Sequence, residues 1–219
     1  MVDMLIKKAL AIVRTKFEKK REELRWKECR ALGMHIGNNV ILPMSTWIDI
    51  SHCYLISIGD KCVLGANCVL LAHDALADQF LDAGKIGKVV LHDSCCLGHG
   101  TIVLPGVEIG PRVITAAGSI ISTTVPPDCV VAGNPAQVVE KLSDFLRFQK
   151  LCIKKYPTFP FSEFGMDNLA LQKREELLKK LKDSNAPFGY MIGGYSSKNK
   201  AGNSDVKESG HAQSNRPLL

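Results

Sequence analysis

The sequence has few aromatic residues and no long apolar run, and its middle part lacks the excess of basic residues that is typical of nucleic-acid-binding proteins. Aromatic side chains make up 6% of the 219 residues, so large rings cannot dominate the core. An apolar run of about 18 residues, which a membrane-spanning helix needs, is absent. Lys7 and Lys8 interrupt the N-terminal apolar stretch before a signal-peptide core can form. We therefore expect a cytoplasmic protein.

The eight cysteines include no CxxC pair. A chain of this length can bury a sufficient core without disulfide bonds, and a cytoplasmic protein keeps its thiols reduced. We therefore predict free, buried cysteines that serve as small apolar side chains.

The net charge of +6 is unevenly distributed. Residues 1–30 carry a net +5, residues 31–140 a net −5 and residues 141–219 a net +6. The basic residues therefore belong to the two ends, and the acidic middle argues against a nucleic-acid partner.

A six-residue repeat organises the middle of the chain. Eleven hexads are found, and an aliphatic residue opens ten of them, Thr115 being the exception. The fifth position is small or β-branched almost throughout and holds Cys62, Cys68 and Cys95. The hexads begin at residues 36, 42, 48, 58, 64, 91, 97, 103, 109, 115 and 121.

A period of six suits neither an α-helix nor an open strand. It predicts a solenoid with three short strands per coil, in which the first position points into a narrow core. The repeat has two breaks: ten residues separate Ile48 from Ile58, and residues 70–90 form a longer excursion. Loops that leave a solenoid often carry function, so we expect the site there.

These hexads, together with ITAAGSIISTTVPPDCVVAGNPAQVVEKL at 114–142, resemble the hexapeptide-repeat acyltransferases. The segment DISHCYLISIGDKCVLGANCVLLAHDA at 49–75 is similar to the subgroup of sugar and polysaccharide O-acetyltransferases. The resemblance implies a mainly β fold, a left-handed parallel β-helix, and a homotrimer that binds acetyl-CoA in grooves between subunits. It also implies an acetyltransferase acting on a sugar hydroxyl, with a role in exopolysaccharide or capsule synthesis.

His73 is the candidate general base. Histidine exchanges a proton readily near neutral pH, and the histidine at the matching place in the resembled family is the base. Asp74 either orients this imidazole or caps the excursion. The resemblance implies that Asp49 and His52, at the first break, face His73 in the acceptor pocket, where they either bind the acceptor or form a plain polar loop. Trp47 either stacks on a sugar face or plugs the core.

The resemblance also implies the residues that bind the acetyl donor. They are Gly98, His99, Ala117, Ser122 and Thr123. Where the family often has a basic residue to meet the CoA phosphates, this chain has Gln137 and Thr123. Lys141 or basic side chains of the C-terminal segment are then the candidates for that role.

Three other functions were weighed. The first is a hydration reaction at a zinc ion bound by His73, His92 and His99, as in zinc enzymes of the carbonic anhydrase type on the same fold. Those enzymes have a pair of histidines five residues apart, and this chain has no such pair. We therefore expect no metal. An amino-sugar N-acyltransferase and a catalytically silent scaffold on the same solenoid stay open.

The ends lie outside the repeat. Residues 1–32 are predicted to form an amphipathic helix that either packs on the open end of the solenoid or makes peripheral contact with a membrane. We expect the β-helix over 33–137 with its excursion at 73–88, a helical extension over 138–183 and a flexible tail over 184–219.

Overall fold

The computed structural model describes residue 17, residues 20–21, residues 23–165 and residues 171–193. These residues divide into two compact units, with the boundary between Ser143 and Asp144. Most of the amphipathic helix predicted over residues 1–32 and residues 194–219 of the predicted tail lie outside the described residues. Among the described residues, no helix is both long and apolar enough to cross a bilayer.

The first unit begins with helix α1 (residues 23–31) and continues as a coil of very short strands. The excursion contains strands β6 and β7 and the short helix α2, and a 3₁₀ segment, Ile50–Leu55, follows β2. In chain order the strands and α2 are β1 His35–Ile36, β2 Trp47–Ile48, β3 Ile56–Ile58, β4 Val63–Leu64, β5 Val69–Leu70, β6 His73–Asp74, α2 Asp78–Leu81, β7 Lys85–Ile86, β8 Val89–Leu91, β9 Cys96–Leu97, β10 Ile102–Val103, β11 Glu108–Ile109, β12 Ile114–Thr115, β13 Ile120–Ile121, β14 Cys129–Gly133 and β15 Ala136–Lys141.

The coil has three parallel sheets, which successive strands visit in rotation. Sheet A has the order β1-β3-β8-β11, sheet B has β15-β14-β12-β9-β4 and sheet C has β13-β10-β5-β2. All pairs are parallel except β14 with β15. The predicted solenoid with three short strands per coil is therefore confirmed.

The hexad explains each strand and each turn. A strand consists of the sixth residue of one hexad and the first residue of the next, and the first residue points inward, as Leu64, Leu91 and Ile109 do. The fourth residue takes a left-handed backbone conformation at most turns, with Asn67 at φ 59° and Gly100 at φ 68° as examples. Asparagine and glycine tolerate this conformation, which explains their frequency at the turns.

The fifth position lies on the inner side of each turn. There, buried thiols and hydroxyls donate to backbone carbonyls: Cys68 Sγ to Gly98 O (3.2 Å), Thr101 Oγ1 to Gly98 O (2.8 Å) and Ser119 Oγ to Ala116 O (2.7 Å). All eight cysteines are free and seven are buried, as predicted. Burial raises the pKa of the Cys68 thiol, which keeps it protonated.

The open strand edge at the end of the coil is covered by β15. Residues 138–141, predicted as the start of a helix, instead pair antiparallel with β14, and the helix α3 starts later, at Leu142–Lys155. These residues form a strand despite their helical spacing, because β14 would otherwise leave the N–H and C=O groups of its outer edge unpaired.

The second unit contains most of α3, strand β16 Thr158–Pro160, helices α4 Phe161–Phe164 and α5 Leu171–Asp183, and strand β17 Tyr190–Ile192. β17 pairs parallel with β16. The prediction of a flexible tail from residue 184 is therefore wrong for its first residues. Their aromatic side chains account for this, because Phe188 packs against Tyr156 at a ring distance of 4.5 Å and the Tyr190 hydroxyl lies 2.8 Å from Gln149 Oε1.

Candidate active site

Both breaks in the repeat open at the same corner of the coil. Ile48 at the end of β2 and Leu70 at the end of β5 are partners in sheet C, and the chain leaves the coil directly after each of them. The backbone N–H of Asp49 donates to Leu70 O at 3.2 Å. Asp49 and His73 therefore meet at one corner, although 24 residues separate them.

A hydrogen bond joins the two side chains. His73 Nδ1 donates to Asp49 Oδ2, and the Asp49 carboxylate is 2% exposed while the His73 side chain is 37% exposed. This bond places the proton on Nδ1 and leaves Nε2 as an acceptor. Within the described ranges, Nε2 of His73 has no hydrogen-bond partner. A buried carboxylate that orients an imidazole is the arrangement of a general base.

Ser51 holds the other oxygen of the same carboxylate. Its hydroxyl donates to Asp49 Oδ1 at 2.7 Å and lies 2.9 Å from His52 Nδ1. Burial raises the pKa of Asp49, but the hydrogen bonds from Ser51 and His73 and the nearby imidazoles outweigh it and lower that pKa below its ordinary 3.8. Asp49 is therefore ionised at neutral pH.

The excursion is closed by its own hydrogen bonds, and Asp74 is one of the groups that close it. Asp74 Oδ1 accepts from the backbone N–H of Leu76 at 2.9 Å. β6 pairs antiparallel with β7, and the N–H of Gly87 donates to Ala72 O at 2.9 Å. Of the two alternatives for Asp74, the structure favours the cap, because Asp49 and not Asp74 contacts the imidazole.

Trp47 lies on the outer face of sheet C, beside the site. It precedes Ile48 in β2, pairs with Val69 and is 49% exposed. The alternative of a core plug is therefore wrong, since the alternation along the strand directs Ile48 inward and Trp47 outward.

The predicted donor-binding residues fall on two corners and one hairpin. Gly98, His99 and Ala117 lie at the corner after sheet B, where a Cβ added at Gly98 would be 2.5 Å from the Ala117 nitrogen. Ser122 and Thr123 follow β13 and lie at the same corner as Asp49, above it in the stack of coils. Lys141 ends β15, paired with Cys129.

The histidines of the zinc alternative lie at three different corners of the chain. His92 follows sheet A, His99 follows sheet B and His73 follows sheet C. His92 instead pairs with Glu108, at 2.5 Å between Nε2 and Oε1. In the part of the chain that the structure describes, the metal-type cluster is Asp49, His52 and His73, whose ligand atoms lie within 4.8 Å of one another.

Two features of the site escaped the sequence analysis. Ser51 was not considered, and Asp49 was assigned to the acceptor rather than to His73. The ten-residue step from Ile48 to Ile58 could have indicated that Asp49 lies next to His73, because a loop at one corner comes close to the loop that leaves the same corner of the next coil.

Comparison with known proteins finds acetyltransferases among the relatives of this chain. A galactoside O-acetyltransferase of Lactococcus lactis is 40% identical over 116 residues, which cover 51% of this chain and 55% of that protein. The protein YvoF of Bacillus subtilis, whose own assignment as an acetyltransferase is provisional, is 32% identical over 108 residues, covering 49% of this chain and 60% of that protein. The chain thus spans little more than half the length of the curated relatives it matches.

Among solved structures, a hexapeptide-repeat-containing acetyltransferase of Vibrio cholerae, complexed with acetyl coenzyme A, is 22% identical. The matched region covers 55% of this chain and 78% of the Vibrio cholerae chain, with a TM-score of 0.44. No family model matches the chain. The resemblance to the hexapeptide-repeat acetyltransferases is confirmed by the sequence relatives.

Proposed function

We propose that this chain transfers an acetyl group from acetyl-CoA to a hydroxyl group of a sugar, with His73 as the general base. The observation that carries the proposal is the buried, ionised Asp49 that accepts from His73 Nδ1. The O-acetyltransferase among the relatives supports the choice of a hydroxyl on a sugar.

In the proposed reaction, Nε2 of His73 takes the proton of the acceptor hydroxyl as its oxygen attacks the thioester carbonyl carbon. The resulting tetrahedral intermediate expels the CoA thiolate, which takes the same proton from Nε2. Asp49 keeps the proton of the neutral imidazole on Nδ1 and stabilises the imidazolium that forms during the reaction. Each residue thus ends the cycle in its starting state.

The finer features are proposals as well. They comprise the left-handed coil, the homotrimer with donor grooves between subunits, a cytoplasmic location and an acceptor in exopolysaccharide or capsule synthesis. Their support is the resemblance of residues 33–142 to the family. For the donor, the resemblance implies the backbone groups of Gly98 and Ala117, which lie next to each other at the corner after sheet B.

The test measures CoA release and acetylated product with acetyl-CoA and a panel of methyl glycosides and maltose. We expect His73→Ala to lower kcat by about 10²–10⁴-fold, the usual contribution of a general base. His92→Ala is the matched control, because this exposed histidine pairs with Glu108 away from the site.

Two outcomes would contradict the proposal. One is a folded His73→Ala protein with wild-type turnover. The other is a wild-type protein that transfers acetyl to no acceptor of the panel, which would favour the silent scaffold. Mass spectrometry of the product separates transfer from simple hydrolysis of acetyl-CoA.

A further inference from the structure

The proposed reaction requires only one imidazole, yet the site contains two. His52 lies against His73, with ring centres 4.7 Å apart and ring planes 37° apart. We propose that His52 binds the hydroxyl next to the one that is acetylated, so that the site selects acceptors with a vicinal diol. This inference rests on the proposed function and names its substrate class more narrowly.

The hydrogen bonds around Ser51 determine the protonation of His52. Ionised Asp49 only accepts, so the single hydroxyl proton of Ser51 goes to Asp49 Oδ1 at 2.7 Å. The short contact of 2.9 Å between Ser51 Oγ and His52 Nδ1 then requires His52 Nδ1 to donate. Neutral His52 therefore carries its proton on Nδ1 and presents Nε2 as an acceptor, as His73 does.

The two rings face the same space. Nδ1 of His73 bonds to Asp49 Oδ2, and Nδ1 of His52 lies 3.8 Å from that same oxygen. Because both Nδ1 atoms converge on one buried carboxylate, the Nε2 edges point away from it. The His52 and His73 side chains are 27% and 37% exposed, so both rings are partly open to solvent, from which an acceptor would approach.

Two acceptors on neighbouring rings suit a diol. The ring centres are 4.7 Å apart, so hydroxyls on adjacent sugar carbons can each donate to one Nε2. The hydroxyl at His73 loses its proton in the reaction, while the hydroxyl at His52 keeps its proton and only donates. His52 is thus a specificity residue, and it determines which hydroxyl of the sugar lies at the base.

The experiment combines a protein variant with a substrate variant. kcat/KM is measured for a methyl glycoside that the wild type acetylates and for its monodeoxy analogues, each lacking one neighbouring hydroxyl. The deoxy analogue covers Nε2 of His52 when it binds and leaves this acceptor unpaired, which costs about tenfold to 100-fold, so we expect one analogue to react that much more slowly with the wild type. His52→Phe keeps the ring but removes the nitrogen, so it should slow the parent glycoside to the rate of that analogue and leave the analogue's rate unchanged.

A purely structural role for His52 predicts a different result. His52→Phe would then slow the parent and the deoxy analogue by the same factor, which overturns the proposal. A wild type that reacts equally with the parent and every neighbouring deoxy analogue overturns it too, while the proposed acetyl transfer still stands. Loss of transfer to all acceptors would instead remove the proposed function and this inference together.

A second variant covers the case in which His52→Phe does not fold. His52→Gln retains a hydrogen-bond acceptor in the amide oxygen and is expected to keep part of the discrimination against the deoxy analogue. If His52→Gln folds, discriminates against the deoxy analogue as fully as the wild type does and slows every acceptor by the same factor, His52 acts only structurally and the diol assignment is wrong.

Discussion

At the scale of single residues, Asp49 is the side chain on which the site depends. Its carboxylate accepts from Ser51 and His73 and is almost completely buried. The cost of burying the charge is offset by these donors, and the net effect is the lowered pKa of Asp49. A neutral amide at this position would remove the charge that both partners face, and its nitrogen, which can only donate, would face the donor Ser51 or the donor His73.

Asp49→Asn is therefore expected to lower kcat by about 10²–10⁴-fold, because the imidazole loses the carboxylate that fixes its tautomer. Asp74→Asn is the matched control. Its side chain bonds only the backbone N–H of Leu76 in the described contacts, so its effect should stay below about tenfold. An equal loss of kcat in both variants, measured with the same acceptor, would contradict the assignment.

The same substitution has a signature in the pH dependence of stability. The pKa of Asp49 is lower in the fold than its ordinary 3.8, so its carboxylate stabilises the fold above that pH, and this contribution is lost as the pH falls through the lowered value. The excess free energy of unfolding of the wild type over Asp49→Asn should therefore be largest near neutral pH and shrink below pH 3.8. Urea titrations across this range measure it, and a gap that grows towards acid would have the wrong sign.

At the scale of elements, the turns at the corners of the coil determine which residue types each hexad position accepts. The hexad predicts an inward first position and a small fifth position, and both are confirmed by the buried Ile58, Leu64 and Cys62. The spacing of the repeat suffices for this because each two-residue strand pairs with the equivalent strand of the next coil. The identity of the turn residue depends on finer geometry, because some glycines face the backbone of the next coil and others face open space.

Gly98 and Gly100 in the same hexad provide a matched test. A Cβ at Gly98 would lie 2.5 Å from the Ala117 nitrogen and 2.7 Å from the Ala116 carbonyl carbon, so neighbouring backbone would have to move. Gly98→Ala should cost about 3 kcal/mol, the upper end of ordinary overpacking.

Gly100 has φ 68° and no heavy atom within 4 Å of an added Cβ. Gly100→Ala should therefore cost only the left-handed strain, about 1 kcal/mol. Thermal or urea unfolding followed by circular dichroism measures both costs. A larger loss for Gly100→Ala than for Gly98→Ala would contradict the stacking of corners.

At the scale of the whole molecule, the excursion exposes several large apolar side chains, and such patches often mark interfaces between proteins. Leu76 and Phe80 are 84% and 81% exposed, and Leu81 and Ile86 are also exposed. This supports the proposed homotrimer, in which a second copy would cover these side chains. The charge of the chain contributes little to this argument, since its basic residues lie mainly at the two ends.

Light scattering after size exclusion should give a mass of about 72 kDa for the wild type, three times the 24.0 kDa of one chain. The double variant Leu76→Ser and Phe80→Ser should shift this mass towards that of one chain and lower the activity. Leu178→Ser on α5 replaces an exposed leucine outside the excursion and should leave the mass unchanged. A wild type that elutes as a monomer, or a double variant with the full mass, would contradict the trimer.

The period of six by itself determined the three-sided coil, the inward first positions, the burial of Cys62, Cys68 and Cys95, and the two places where loops leave the coil. It could do so because a repeat makes every coil contact its neighbour in the same register, so that local spacing specifies long-range pairing. Only the tertiary structure decided that Asp49 and not Asp74 orients His73, that Ser51 fixes the proton of His52, and that β15 covers the last strand. These depend on the paths of irregular loops and on an unpaired strand edge, and neither of them has a period that a sequence displays.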